Sequence, residues 1–102
     1  MKLWLDDVRT PPDSSWRWVK SVWGAISAIE GEIRAGRNVE LASLDHDLGD
    51  HAKHGGDGMK LLVWLVDKGY YFPVVVHSLN CVGRDNMIRV LKRYWPPEYR
   101  RQ

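Results

Sequence analysis

Short apolar runs separated by amphipathic segments give the chain its pattern. Bulky residues at Lys2–Leu5 and Val39–Leu44 predict two strands, and the continuous β-branched run at Pro73–Val76 is typical of a buried parallel strand. Trp16–Lys20 alternates large and basic side chains, which predicts either an edge strand or the beginning of the next helix. The pattern therefore predicts three or four strands.

Helical spacing of apolar residues follows each of the later strands. It predicts one helix from Val22 to about Ala35, stopped by Gly36, and a second from Met59 to Lys68. A third apolar face ends at Trp95, because the Pro96-Pro97 pair that follows cannot continue a helix. Between the first two helices, residues 49–58 form a polar, glycine-rich loop.

Strands that alternate with helices indicate parallel βα units joined by right-handed crossovers. The carboxyl ends of parallel strands lie along one edge of a sheet, where ligands bind in open α/β folds. We therefore expect the polar residues that follow the strands to meet there: Asp6, Asp7, Asp45, Asp47, His77, Ser78 and Asn80, with Arg9 and Arg84 on the loops beyond.

Composition narrows the class of protein. The 102 residues are enough for one domain, residues 1–102, and 44% hydrophobic with 27% charged residues is ordinary for a soluble globular protein. We expect no membrane span, and acids at Asp6 and Asp7 precede any apolar stretch of a signal peptide, so the expected location is cytoplasmic. A net charge of +2 makes nucleic-acid binding an unlikely function.

Carboxylates that converge at one sheet edge repel one another unless a cation neutralises them. All-oxygen ligation suits Mg²⁺ or Mn²⁺, which bind one or two carboxylates together with substrate phosphate. In such a site Arg84 would neutralise phosphoryl oxygens, Ser78 would donate a hydrogen bond to one, and Asp45 would act as nucleophile or as base toward water. The expected ligand is a small phosphate compound.

Other interpretations of the same residues stay open at this point. A single aspartate after a strand is most often a turn former or helix cap, although four of them together favour a site. His46, His51 and His54 with Asp47 are an alternative zinc site, without the fixed spacing that one helix provides. Otherwise these are loop histidines, of which His46 would contact substrate.

Several motifs resemble response-regulator receiver domains: Leu5-Asp6-Asp7, Leu44-Asp45, Gly56-Asp57-Gly58 and Val76-His77-Ser78. Longer strings are more similar to the cyclic-phosphate-processing receiver-like family of bacteria and phages. These are Leu-Asp-Asp-Val-Arg at 5–9, Ser-Leu-Asp-His-Asp-Leu-Gly at 43–49 and His-Ser-Leu-Asn-Cys-Val-Gly-Arg-Asp-Asn-Met at 77–87. The resemblance covers nearly the whole chain.

The resemblance implies a fold and a metal site. The fold is a receiver-like, flavodoxin-like α/β domain derived from three layers, with a parallel sheet of about four strands and without the first helix or the fifth strand and helix. Asp6, Asp7 and Asp45 would hold Mg²⁺, and Ser78 would meet a phosphoryl oxygen. The fifth-strand lysine of receivers is missing, and Arg84 is the candidate to replace its charge.

The leading hypothesis is a metal-dependent phosphoesterase acting on a cyclic phosphate or cyclic nucleotide, which in a phage would serve as an anti-defence activity. Asp45 or Asp47 would activate water, and His77 would protonate the leaving oxygen. The substrate would be bound by Arg9, His46, Ser78, Asn80 and Arg84. The alternatives are a module that sequesters a nucleotide without turnover, a receiver-like phospho-acceptor, and a structural pseudo-receiver that dimerises.

The missing helices would leave one face of the sheet bare, whereas parallel sheets are normally buried on both faces. We expect this face, through Trp4 and either Trp16 or Trp18, to be covered by a second subunit or by the tail Pro97–Gln102. The predicted assembly is a homodimer.

Overall fold

The computed structural model describes residues 1–101, which form a four-stranded parallel sheet. The strands are β1 (Lys2–Leu5), β2 (Trp16–Val19), β3 (Leu41–Leu44) and β4 (Val74–Val76), in the order β2-β1-β3-β4. The predicted α/β class with about four parallel strands is confirmed. The ambiguous segment after the first loop is an edge strand, so that alternative is settled in favour of β structure.

Three helices complete the fold: α1 (Val22–Arg34), α2 (Gly58–Lys68) and α3 (Cys81–Tyr94). The crossovers from β2 to β3 and from β3 to β4 run in the same direction across the sheet, so right-handed connections place α1 and α2 on one face. Helix α3 packs against α2 and β4. None of the described helices has the length and apolar character needed to span a membrane.

Alternation along the strands directs one set of side chains into the core beneath these helices. Six strand residues that share this face are buried: Leu3, Leu5, Ala42, Leu44, Val74 and Val76. From the helices they meet Ile29 of α1, Leu61 and Leu65 of α2, and Met87 of α3, all with no exposed area. One helix layer and one sheet layer therefore make the main core.

No helix lies between β1 and β2, because residues 6–15 connect them directly, as expected for a fold without the first receiver helix. Indole and imidazole rings cover part of the face that this helix would occupy. The Trp4 ring stacks on His77 at a centroid distance of 3.8 Å and meets the Trp16 ring edge-on at 5.6 Å. Trp4 is consequently only 7% exposed.

The C-terminal tail, which was one of the two candidates to cover the bare face of the sheet, lies at the edge of the sheet. Within the described residues, Pro97–Tyr99 form a short 3₁₀ helix, and Arg100 makes an isolated parallel bridge with Val74 at the free edge of β4. The tail thus meets the edge of the sheet where a fifth strand would begin. Gln102 lies outside the described residues. A second subunit over the face of Trp16 and Trp18 stays a prediction.

Replacing Trp4 by alanine removes the side chain that contacts both Trp16 and His77. We expect the free energy of unfolding to fall by about 3–5 kcal/mol, the usual loss when a buried large aromatic side chain is truncated. Trp23→Ala is the matched control, because Trp23 is 60% exposed and surface substitutions usually change stability by less than about 0.5 kcal/mol. Urea titrations of both variants provide the measurement, and equal losses would contradict the proposed role of Trp4.

Candidate metal and phosphate site

Three predicted metal ligands lie together at the carboxyl ends of β1 and β3. These strands are paired with Leu5 opposite Leu44, so that Asp6 and Asp45 leave the sheet as neighbours. One carboxylate oxygen from each of Asp6, Asp7 and Asp45 lies within 4.8 Å of the other two. The sequence therefore predicted the right residues to come together, and their distances suit a shared cation.

Asp6 is the most enclosed of the three, with 3% of its surface exposed. Its Oδ1 accepts the backbone N–H groups of Val8 at 2.9 Å and Arg9 at 2.7 Å, and its Oδ2 is 2.9 Å from Nε2 of His77. Burial acts to raise the pKa of Asp6, but these hydrogen bonds outweigh it and hold the pKa below its ordinary value. Asp6 is therefore ionised although it is buried.

Asp45 shows the opposite balance. Burial raises the pKa of this carboxyl, and the negative charge of Asp6 raises it further, while hydrogen bonds from the Ser78 side chain and the His46 backbone only partly oppose these effects. The carboxylate form of Asp45 is thus stabilised less than it would be in water. A divalent cation would relieve this repulsion, and three carboxylates match the hard oxygen donors that Mg²⁺ and Mn²⁺ prefer.

Asp47 lies at the edge of the same site and is held by two side chains. His46 Nδ1 is 2.7 Å from Asp47 Oδ1, and Asn80 Nδ2 donates to both carboxylate oxygens at 3.2 Å. The His46 and Asn80 contacts lower the pKa of Asp47. Asn80 also caps α3, since its Oδ1 accepts the N–H of Gly83 at 3.0 Å.

Close approach of two helices fixes the loop that carries these residues. A Cβ atom on Gly58, in the first turn of α2, would overlap the carbonyl oxygen of Asp45. A Cβ on Gly83, in the first turn of α3, would lie 2.5 Å from Cγ of His46. His46 therefore packs against the backbone of α3, with 17% of its side chain exposed.

The acids open into a pocket of about 280 Å³. Its lining comprises Asp6, Asp7, Val8, Arg9, Asp45, Asp47, Ser78, Leu79 and Asn80. Of the predicted phosphate-binding residues, Arg9, Ser78 and Asn80 lie here, whereas His46 and Arg84 do not line the pocket. Among the described residues, Arg9 is the one basic side chain in this lining.

His77, the predicted proton donor, contacts Asp6 behind the pocket and is not part of its lining. Burial lowers the pKa of His77 and outweighs the opposing effect of Asp6, which favours the neutral ring. Its Nδ1 is 2.6 Å from Oγ of Ser43. Sequence patterns gave Ser43 no role, because only the pairing of β3 with β4 brings it next to His77.

The alternative zinc site does not form in the part of the chain that the structure describes. Asp6, Asp7 and Asp45 are the one group of three potential ligands there that is close enough to share an ion. His51 lies in the 3₁₀ helix Gly49–Lys53, and His54 contacts the ring of Trp23 instead, at a centroid distance of 5.6 Å.

Comparison with known proteins gives one family. The model described as cyclic-phosphate processing receiver domain matches residues 1–93. No curated protein and no solved structure matches the chain.

Gly58→Ala tests the close approach of α2 to Asp45. We expect it to lower the free energy of unfolding by about 1–3 kcal/mol, the range for overpacking a site that cannot relax. Gly31→Ala is the control, because a Cβ there meets nothing within 4 Å and helix propensity should raise stability by about 0.5–1 kcal/mol. Denaturant unfolding of both variants measures the difference. Stabilisation by both substitutions would contradict the contact.

Asp45→Asn tests the repulsion within the cluster. At pH 7 without divalent cations, we expect the melting temperature to rise, because the amide keeps an acceptor for the His46 N–H but removes the charge that burial and Asp6 disfavour. Asp50→Asn, in the exposed 3₁₀ segment, should leave it unchanged. A lower melting temperature for Asp45→Asn would contradict the assigned electrostatics.

Proposed function

The chain belongs to the family of cyclic-phosphate processing receiver domains, and from this premise we propose that it is a metal-dependent phosphoesterase that opens a cyclic phosphate or cyclic nucleotide. The observation that carries the proposal is the cluster of Asp6, Asp7 and Asp45 at an open pocket, with Asp45 held at a raised pKa.

Asp6, Asp7 and Asp45 would hold Mg²⁺ or Mn²⁺, which when bound would supply a Lewis acid that polarises the phosphoryl group. Ser78, Asn80 and Arg9 would bind the remaining phosphoryl oxygens, since all three line the pocket. Arg9 is anchored nearby, because its backbone N–H bonds Asp6.

Asp47 would take a proton from the attacking water, in the role that the sequence also left open for Asp45. Its contacts with His46 and Asn80 keep it ionised and fix its carboxylate at the pocket edge. The water oxygen bonds to phosphorus, one P–O bond of the ring breaks, and the leaving oxygen takes up a proton. Because His77 Nε2 contacts Asp6 rather than the pocket, we assign that proton to solvent in the open site.

Two exposed apolar side chains flank the acids and favour a substrate with an apolar or heteroaromatic group. Val8 is 77% exposed and Leu79 is 86% exposed, and both line the pocket. A nucleobase next to the phosphate would bury part of both side chains, which a cyclic phosphate of a bare polyol would not. We therefore favour a cyclic nucleotide, and a role in removing a nucleotide signal in a bacterial or phage-infected cytoplasm.

The sequestering alternative would use the same pocket without turnover. Tryptophan stacking does not support it, because none of the residues lining the pocket is a tryptophan. The phospho-acceptor alternative keeps Asp45 as the modified residue and draws on the same receiver-like strand end. Arg9, the basic side chain of the pocket lining, would then replace the charge of the receiver lysine.

Hydrolysis is tested with a panel of cyclic mono-, di- and trinucleotides, nucleoside 2′,3′-cyclic phosphates and a base-free cyclic phosphate, each with Mg²⁺, Mn²⁺ or EDTA. We expect linear phosphomonoester or phosphodiester products with metal only, separated by chromatography. Asp45→Asn should lower turnover at least about a hundredfold, whereas the exposed control Asp50→Asn should retain it.

The outcomes separate the candidates. Stoichiometric binding that survives EDTA and gives no product would support sequestration, and a phosphoryl adduct on Asp45, seen by intact mass after treatment with a small phosphodonor, would support the phospho-acceptor. Equal turnover of the base-free ester would contradict the role of Val8 and Leu79.

A further inference from the structure

Ser43, His77 and Asp6 form a continuous chain of contacts behind the pocket. Oγ of Ser43 is 2.6 Å from Nδ1 of His77, and Nε2 of the same ring is 2.9 Å from Oδ2 of Asp6. Ser43 lies within β3, whereas His77 and Asp6 directly follow β4 and β1, so the contacts connect three neighbouring strands of the sheet. The Trp4 ring lies flat against the imidazole, with 7° between their planes.

The order Ser-His-Asp is that of a nucleophilic triad, but burial excludes this chemistry. Ser43 has 3% of its surface exposed, lies within β3 and does not line the pocket. A substrate bound at the acids therefore cannot reach the hydroxyl. The arrangement acts on Asp6 instead.

Donor and acceptor capacities determine which ring nitrogen of His77 carries its proton. A carboxylate can only accept, and Oδ1 of Asp6 already accepts two backbone N–H groups, so Nε2 is the N–H donor of the contact with Oδ2. In a neutral imidazole Nδ1 is then an acceptor, and the Ser43 hydroxyl is the group that can donate to it. Each contact requires the other to have this direction.

A count of hydrogen bonds leaves one unused acceptor position on the carboxylate of Asp6. A carboxylate accepts about four hydrogen bonds or ligand contacts. Oδ1 receives the N–H groups of Val8 and Arg9, and Oδ2 receives His77. The second lone pair of Oδ2 is the remaining one, and Oδ2 is fixed in orientation by the ring.

We propose that Ser43 is a positioning residue of the metal site: by donating to Nδ1 it holds His77 as the Nε2–H tautomer, and His77 in turn orients Oδ2 of Asp6 toward the cation. The inference rests on the proposed function, since it concerns the same ion. It also gives His77 a role other than proton donor. Loss of a proton donor would slow turnover and leave metal affinity unchanged.

The test combines a spectroscopic measurement with metal binding. Long-range ¹H–¹⁵N spectra of the metal-free protein at pH 7.5 report the tautomer of His77, and Mn²⁺ affinity is measured by water-proton relaxation. We expect the Nε2–H tautomer in the wild type, and loss of this tautomer preference with at least about tenfold weaker Mn²⁺ binding in Ser43→Ala.

Two further variants keep the test informative if Ser43→Ala does not fold. His77→Phe keeps a ring against Trp4 but has no donor, so it should also weaken Mn²⁺ binding at least about tenfold. Val75→Ala is the control. Val75 is the β4 partner of Ser43, so its truncation loosens the same face but removes neither the Ser43–His77 nor the His77–Asp6 contact. It should bind Mn²⁺ like the wild type.

Five results decide between these possibilities. An Nδ1–H tautomer in the wild type, or wild-type Mn²⁺ affinity in His77→Phe, would overturn the inference even if cyclic nucleotides are hydrolysed. Weaker binding by Val75→Ala comparable to that of Ser43→Ala would overturn it as well. Normal Mn²⁺ binding with the expected tautomer but no hydrolysis would overturn the proposed function and leave the inference in place. A wild type that binds no Mn²⁺ would overturn both.

Discussion

Repulsion between Asp6 and Asp45 is the constraint on which the rest of the site depends. Parallel pairing of β1 with β3 makes the two acids neighbours, and neither can move away without breaking the register that buries Leu5 and Leu44. Two backbone amides and His77 stabilise the charge of Asp6, whereas at Asp45 burial and the charge of Asp6 outweigh the hydrogen bonds from Ser78 and His46. The metal-free site therefore concentrates its unfavourable charge in one carboxyl.

The second face of the sheet also supports the acidic site. Because the fold lacks the first receiver helix, no helix covers this face. Tryptophan side chains cover part of it instead, and two of them also contact the site. The Nε1–H of Trp18 donates to the carbonyl of Asp6 at 2.7 Å, and that of Trp4 donates to the carbonyl of Arg9 at 2.8 Å. The loop that carries two of the acids and the one basic pocket residue is thus held by side chains that also cover the sheet.

Periodicity in the sequence was enough for the strands, the helices and the convergence of Asp6, Asp7 and Asp45, because apolar alternation is a local property and strand ends share an edge. Contacts between side chains of different strands could not be predicted from periodicity. Ser43 and His77 are 34 residues apart, and their meeting depends on register. Arg9 and Arg84 were both predicted to bind phosphate; Arg9 lines the pocket and Arg84 does not, and phosphate binding by either stays a prediction.

The two indole hydrogen bonds to residues 6–9 couple the stability of the tryptophan-covered face to the acidic site. An ion or phosphate that orders this loop must also stabilise Trp4 and Trp18, and any loosening of the indole layer must weaken the site by the same free energy, since linkage is reciprocal. Stability and affinity therefore share their residues and cannot be adjusted separately on this face. A partner that covered Trp18, which is 36% exposed, would act on the affinity of the acids without approaching them.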